Sequence, residues 1–187
     1  MILTKENPYE GASFSRRNRF TRLAWDVVWF LLFRPTPPPA HAWRCWLLRL
    51  FGARIHSSCH VYSTAKIWAP WNLRMKANSC LGPRVNCYSM ALIELGERVV
   101  ISQGAHLCSG SHDYNQESFQ LQAKPIKIGA DAWVCAEAFL APGVEIGEGT
   151  VIGARSVVTR SQPSWHVCAG NPARVCKPRL HPRSPYR

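Results

Sequence analysis

From Ile128 onward the apolar residues of this chain fall on a beat of six. The hexads read IGADAW, VCAEAF, LAPGVE, IGEGTV, IGARSV and VTRSQP, and each opens on Ile, Leu or Val. Their fifth places hold Ala132, Ala138, Val144, Thr150, Ser156 and Gln162. An amphipathic helix repeats its apolar positions near 3.6 residues and a half-buried strand near two. A fixed period of six predicts a solenoid of short parallel strands. Three sides of six residues make one triangular coil, with the first-place aliphatic inside and the fifth-place residue where the chain turns. One coil cannot bury its own apolar edge, so coils stack.

The beat extends upstream. Ile55, Val61, Ile67 and Leu73 open four hexads, and after a slip of two residues come Leu81 and Cys87. A second slip leads to Leu95, Ile101 and Leu107. Fifteen hexads result, fourteen of them opening on Ile, Leu or Val, which makes about five coils. The fold class is therefore mainly β, a parallel β-helix, with the slips bulging at corners.

The beat bounds the rest of the chain. Residues 1–54 form a basic arm and a helical segment, residues 55–173 the solenoid, and residues 174–187 a basic, Pro-rich tail. Residues 1–22 read as a loosely ordered arm. Residues 23–33 (LAWDVVWFLLF) are apolar apart from Asp26 and too short to span a bilayer. Pro35 and Pro37–Pro39 then stop any helix, and Trp43, Trp46, Leu47 and Leu50 follow at helical spacing, with Gly52 as an end signal. Three readings fit residues 1–51: a cap over the open end of the coil, a peripheral membrane contact, or a signal peptide whose apolar run Asp26 interrupts. Residues 113–127 (DYNQESFQLQAKPIK) lack the beat and read as an excursion loop between two rungs. Long loops in compact folds are usually functional.

Charge sharpens this division. The net charge of +12 lies at the ends: residues 1–54 carry nine Lys/Arg and three acids, residues 55–173 nine and eight, and residues 174–187 five and none. A near-neutral coil with basic ends suits an anionic ligand or an anionic membrane surface. No nucleic-acid-binding module is recognisable, so nucleic acid is not expected as a partner. The eight cysteines include no CxxC pair and no zinc spacing, and Cys59 and Cys87 fall on core positions. Reduced, buried thiols in a cytoplasmic protein are the expectation, with no metal.

His112 closes the hexad LCSGSH, at an outward place directly before the loop. An accessible imidazole there can take a proton from a hydroxyl near neutral pH. From spacing alone an ordinary surface histidine explains it as well. His106, six residues earlier, is a second candidate; His56, His60, His166 and His181 read as surface or tail.

The repeats, SGSHDY at 109–114, the loop and the ending VCAGNPARV resemble the hexapeptide-repeat acyltransferases, whose coil is a left-handed β-helix. Within that superfamily NCY at 86–88, ISQGAHLCSGSHDY at 101–114 and WVCAEAFLAPGV at 133–144 resemble the colanic acid biosynthesis acetyltransferases. So do RLAWDVVWFLLFRPTP, WRCWLLRLFGARI and IWAPWNL, and the likeness covers nearly the whole chain. The resemblance implies a homotrimer with active sites between subunits and acetyl-CoA as cosubstrate. It implies that His112 is the general base on an acceptor hydroxyl and that Asn86 lines the acceptor pocket. Tyr88, Trp68, Trp71 and the 113–127 loop are candidates to shape that pocket. Cofactor contacts are implied at Ala154, Thr159, Arg160 and Arg174, with Trp133 bordering the channel. Ala136 stands where galactoside and maltose O-acetyltransferases carry a serine, so only a backbone contact transfers; Lys177 replaces an Arg and can still meet a phosphate.

The activity implied is O-acetylation of a sugar in an exopolysaccharide or its lipid-linked precursor, in the cytoplasm and peripheral to the inner face of the membrane. Thioester acyl transfer needs a base, a held acceptor and donors for the developing oxyanion. Amino-sugar N-acetylation is the runner-up within the class. A zinc enzyme of the γ-carbonic-anhydrase type and a non-catalytic solenoid are the competitors from other classes.

Overall fold

The computed structural model describes residues 13–180. Short parallel strands stack on three faces. The first face is built from Arg54–Ile55, Leu73–Met75, Ile93–Leu95, Ile126–Ile128 and Glu145–Ile146. The second carries His60–Val61, Cys80–Leu81, Val100–Ile101, Trp133–Val134, Val151–Ile152 and His166–Gly170. The third carries Lys66–Ile67, Asn86–Tyr88, His106–Cys108, Phe139–Leu140 and Val157–Val158. Five coils are complete, and a sixth begins where Gln162 bridges Ile146 and His166–Gly170 pairs with Val151–Ile152. The five coils read from the hexads thus gain a partial turn at the C-terminal end.

Every residue placed first in a hexad is buried, from Ile55 at 8% exposed to Val158 at 0%. From Ala132 to Gln162 the fifth-place residues are buried beneath the corners, Ser156 and Thr150 included. Tight corners are closed by single residues in the left-handed conformation, among them Asn78, Glu137 and Arg155, which cross the turn and stay on the surface.

One frame differs from expectation. The registered partners on the first face are Ile55, Met75, Leu95 and Ile128, so Met75 and not Leu73 occupies the first place of its coil. Leu73 is buried as well, which hid the shift. The two extra residues fall between Ile67 and Met75, in the corner from third to first face, where a 3-10 turn spans Pro70–Asn72. The second slip, between Cys87 and Leu95, stacks at the same corner. These longer corners bury backbone, and side chains satisfy it: Ser89 Oγ accepts from Ala69 N–H at 3.0 Å, Ser109 Oγ accepts from Ala91 N–H at 2.9 Å, and Asn72 donates to the carbonyls of Ser89 and Met90.

The excursion also leaves from this corner, earlier than the loss of the beat suggests. Gly110–His112 pairs antiparallel with Leu121–Ala123, and the coil resumes at Ile126. Residues 113–127 are therefore not one loop; they comprise a hairpin tip, its return strand and the start of the next rung.

The N-terminal segment docks on the open end of the first coil. Helix α1 spans Arg16–Val28, capped by Ser15, whose side chain accepts from Asn18 N–H at 3.2 Å, and it continues through a π-turn at Trp29–Phe33. The helix thus takes in residues 16–22, which the sequence suggested as an arm; residues 1–12 lie outside the described residues. Helix α2 spans His41–Leu50 and ends at Gly52, with φ of +88°. Together the helices satisfy the edge carbonyls of the first coil. Trp25 Nε1 donates to Ile67 O at 2.7 Å, Trp29 Nε1 to Ala65 O at 2.9 Å, and Arg49 Nε to Ile55 O at 2.8 Å. Arg44, fully buried, donates from Nε to Val61 O at 2.6 Å and from its other nitrogens to Thr36, Pro37 and Pro38. An unprotected edge would template the addition of further strands.

His41 rests in this cap, with its Nδ1 2.9 Å from Val61 O and its ring 4.7 Å from that of His60. Burial holds its pKa below the usual 6.5, against the raising effect of the carbonyl, and Arg44 and His60 push the same way. The unfolded chain therefore takes up a proton near pH 6.5 that the folded chain refuses. Stability from this source is complete above that pH and drains as pH falls below it. The urea midpoint is expected to drop between pH 7.5 and 5.5, and His41→Asn to flatten part of the drop. An equal drop in the variant would remove His41 from this role.

At the other end His166–Gly170 turns back on Ala173–Pro178, so the tail begins as a strand rather than at Arg174. Residues 181–187, His181 among them, lie outside the described residues. All eight cysteines are free; burial raises the pKa of Cys45 to about 11 and that of Cys87 to about 12, so both remain protonated thiols.

Candidate active site

Three strands of the third face set one wall. Registered pairing aligns Asn86, His106 and Phe139 in a row pointing outward, and Tyr88 beside Cys108. The Asn86 amide faces His106 Nε2 at 3.4 Å, and the His106 ring stands edge-on to Phe139 at 5.3 Å. Burial lowers the His106 pKa, so this imidazole is neutral at physiological pH. One of its ring nitrogens faces Asn86 and its ring packs on Phe139.

The hairpin rises beside the row. Gly110 lies so close to Tyr88 and the Met90 sulfur that an added Cβ would overlap both. This contact seats the hairpin against the third face, and His112 follows about 7 Å along the same strand. Its ring is exposed. It stacks on Phe119 across the hairpin, with ring centroids 4.4 Å apart and planes 12° from parallel. Its Nδ1 lies 2.9 Å from Phe119 O. A carbonyl can only accept, so Nδ1 carries the hydrogen and Nε2 keeps its lone pair. Asp113 does not assist: its carboxylate accepts from Asn115 N–H and from the Gln122 side chain within the hairpin.

Below Tyr88 an aromatic column continues toward the cap. Tyr88 meets Trp68 edge-on at 5.5 Å, Trp68 meets Phe14 at 5.3 Å, and the Arg22 guanidinium lies over the Trp68 ring at 4.4 Å. Trp68 and Tyr88 are twenty residues apart, one coil in this part of the chain, so their adjacency follows from the period. Arg22 and Phe14 were missed because the sequence places them in an arm. Trp71 turns elsewhere, lining a 560 Å³ cavity with Asn18 and Phe51 between cap and coil.

Comparison with known proteins adds the context. The family description "Bacterial transferase hexapeptide (six repeats)" matches residues 125–160. WcaF of Escherichia coli (strain K12), named a colanic acid biosynthesis acetyltransferase, is 43% identical over 156 residues, covering 83% of this chain and 86% of that one. This chain belongs to the hexapeptide-repeat acetyltransferases. A maltose O-acetyltransferase from Clostridium difficile 630 superposes with a TM-score of 0.79 at 25% identity, over 89% of this chain and 90% of that one. The hexapeptide-repeat acetyltransferase VCA0836 of Vibrio cholerae, solved with acetyl coenzyme A, gives 0.78 at 24% identity over 96% and 97%.

In this acetyltransferase the residues suggested for the cofactor fall in three places. Trp133 stands 46% exposed on the second face, its Nε1 donating to Ser102 Oγ at 2.8 Å. Ala136 and Ala154 stack at the corner between second and third faces, where Arg155 N–H donates to Ala136 O at 2.9 Å. Ala136 is half-buried and Ala154 exposed, on the same edge of the coil as Trp133. Arg174 and Lys177 lie exposed on the terminal strand, which extends the second face. Thr159 and Arg160, also exposed, sit instead at the corner between third and first faces, the one that bears His112. Within one chain the acetyltransferase thus separates its candidate base from most of its candidate cofactor contacts by the width of the third face. Ser102 and Phe119, which orient Trp133 and His112, were not singled out by the sequence: Ser102 lies inside a motif whose named candidates are its histidines, and Phe119 meets His112 only when the hairpin closes.

Proposed function

We propose that this acetyltransferase transfers the acetyl group of acetyl-CoA to a hydroxyl of a sugar in an exopolysaccharide or its lipid-linked precursor, with His112 as general base. The observation that carries the reading is the exposed imidazole whose Nδ1–H is held by Phe119 O, leaving Nε2 as the acceptor. Nε2 takes the hydroxyl proton while the oxygen attacks the thioester carbonyl. The C–S bond then breaks, and the imidazolium returns its proton to the departing thiolate. Asn86 and Tyr88 hold the sugar, the aromatic face of Tyr88 packing on its ring. Trp133, Ala136, Ala154, Thr159 and Arg160 line the cosubstrate channel, and Arg174 and Lys177 neutralise its phosphates.

The arrangement supports a homotrimer. His112 and the Trp133, Ala136 and Ala154 positions lie on opposite edges of the third face, so a site containing both requires the hairpin of one subunit against those positions on the next. Acetyl-CoA as donor is supported by its presence in the Vibrio cholerae structure and the sugar polymer by the name of WcaF, although each describes that protein. Such chemistry belongs where acetyl-CoA is made, in the cytoplasm.

Release of the CoA thiol, followed with purified protein against sugar nucleotides and lipid-linked oligosaccharides, tests the reading. Turnover that depends on a hydroxyl acceptor supports it. Turnover confined to amino sugars would assign N-acetylation, and no turnover with any sugar would reject the acceptor class.

A further inference from the structure

The helical cap has two apolar sides, and the coil uses only one. On α1 and its π-turn, Trp25 and Trp29 face the first coil. The opposite stripe holds Phe20, Leu23, Val27, Phe30 and Leu31, which are 49–69% exposed. Their spacing puts them on one helical face. Helix α2 repeats the design, with Cys45, Leu47 and Leu48 inward and Trp43, Trp46 and Leu50 outward. Trp43 stacks on Trp46 at 5.0 Å and donates from Nε1 to Leu32 O at 2.9 Å, which joins the two outer stripes. Exposed apolar side chains scattered singly are ordinary, whereas a contiguous patch marks an interaction surface.

We propose that this outer face of the cap docks on an anionic lipid bilayer, the helices lying in the plane of the interface with the capped end of the coil toward the membrane. The charges select the occupant. Arg16, Arg17 and Arg19 at the start of α1 and Arg34 at its end are exposed, and Asp26 is the only acid between residues 13 and 51. Arg44 and Arg49 are committed to carbonyls of the cap and first coil, Arg22 lies over Trp68, and Arg34 is exposed but lies 5.7 Å over the Trp29 ring, so Arg16, Arg17 and Arg19 are the arginines most available to headgroups. Two copies meeting through this face would bring like charges together, whereas acidic phospholipids complement them. Tryptophans favour the depth where headgroup meets acyl chain. No helix among the described residues is long and apolar enough to cross a membrane, so the helices lie on it. The proposal stands independently of the acceptor assigned above.

The test is co-sedimentation of the full chain with vesicles of phosphatidylglycerol and phosphatidylethanolamine, against vesicles of phosphatidylcholine alone. Binding is expected to the anionic vesicles and to weaken at least tenfold at high salt. Leu23→Asp combined with Phe30→Asp is expected to lower it at least tenfold, and Arg16→Gln combined with Arg19→Gln severalfold. Unchanged thermal melting and CoA thiol release would show that both variants are folded. Absence of binding to anionic vesicles, or equal binding by the variants, would overturn the proposal. So would an apolar-face variant that sediments as a smaller oligomer than a parent that ignores vesicles, because the face would then join protein to protein.

Discussion

Replacing His112 with alanine is expected to lower kcat/KM for acetyl transfer by about 10²- to 10⁴-fold, the usual contribution of a positioned general base. Binding of CoA and the oligomeric state should survive, because the ring is exposed and touches only the hairpin. Phe119→Ala separates positioning from proton transfer. It removes the stacking partner and leaves the Phe119 carbonyl in place, so it should lower kcat about tenfold with a smaller effect on KM. Thiol-release kinetics beside direct measurement of CoA binding decide the matter. Retention of full turnover by His112→Ala would remove the imidazole from the mechanism, and loss of CoA binding would make its role structural.

The largest effect on stability is expected at Trp25. The indole is fully buried, edge-on to Phe33 at 5.8 Å and tilted on Phe51 at 5.2 Å, and it donates to Ile67 O at 2.7 Å. Trp25→Ala opens a cavity between cap and coil and strips a buried carbonyl of its donor. A loss of about 3–5 kcal/mol is expected, read as a fall in the urea midpoint. Trp25→Phe keeps much of the ring and loses the hydrogen bond, so it should cost about 1–3 kcal/mol. A Trp25→Ala midpoint within error of the parent would mean that the cap and the first coil unfold independently.

The coil was legible because its core is one-dimensional. A narrow interior holds one or two inward residues per side, so the apolar beat and the burial coincide at all fifteen first places, while the registered frame departs from the beat only at Leu73. That frame failed because Leu73 and Met75 alternate inward on the same strand and either satisfies the pattern. The start of the hairpin was hidden for the opposite reason: Gly110, Ser111 and His112 carry no apolar signal, and their pairing depends on the return strand Leu121–Ala123. The site was legible to the extent that a motif names its residues. His112 is exposed on a seated strand, yet what aims it is Phe119, seven positions away and recognisable only once the hairpin closes. The N-terminal segment was legible as apolar and basic; that its tryptophans would meet carbonyls of the first coil depends on where that coil leaves its edge.

Both two-residue slips and the hairpin occupy one corner of the coil, from the third face to the first. There the distance between first-place residues grows from six to eight, Ile67 to Met75 and Cys87 to Leu95, and then to twenty-one, Leu107 to Ile128. At the corner beside Trp133 and Ala136 the count stays at six, as from Val134 to Leu140. Length variation is thus confined to a seam, and the seam is the edge that carries His112. A hairpin of different size or composition can be exchanged there without re-registering a single rung, so the surface around that imidazole can be rebuilt while the rest of the coil keeps its spacing.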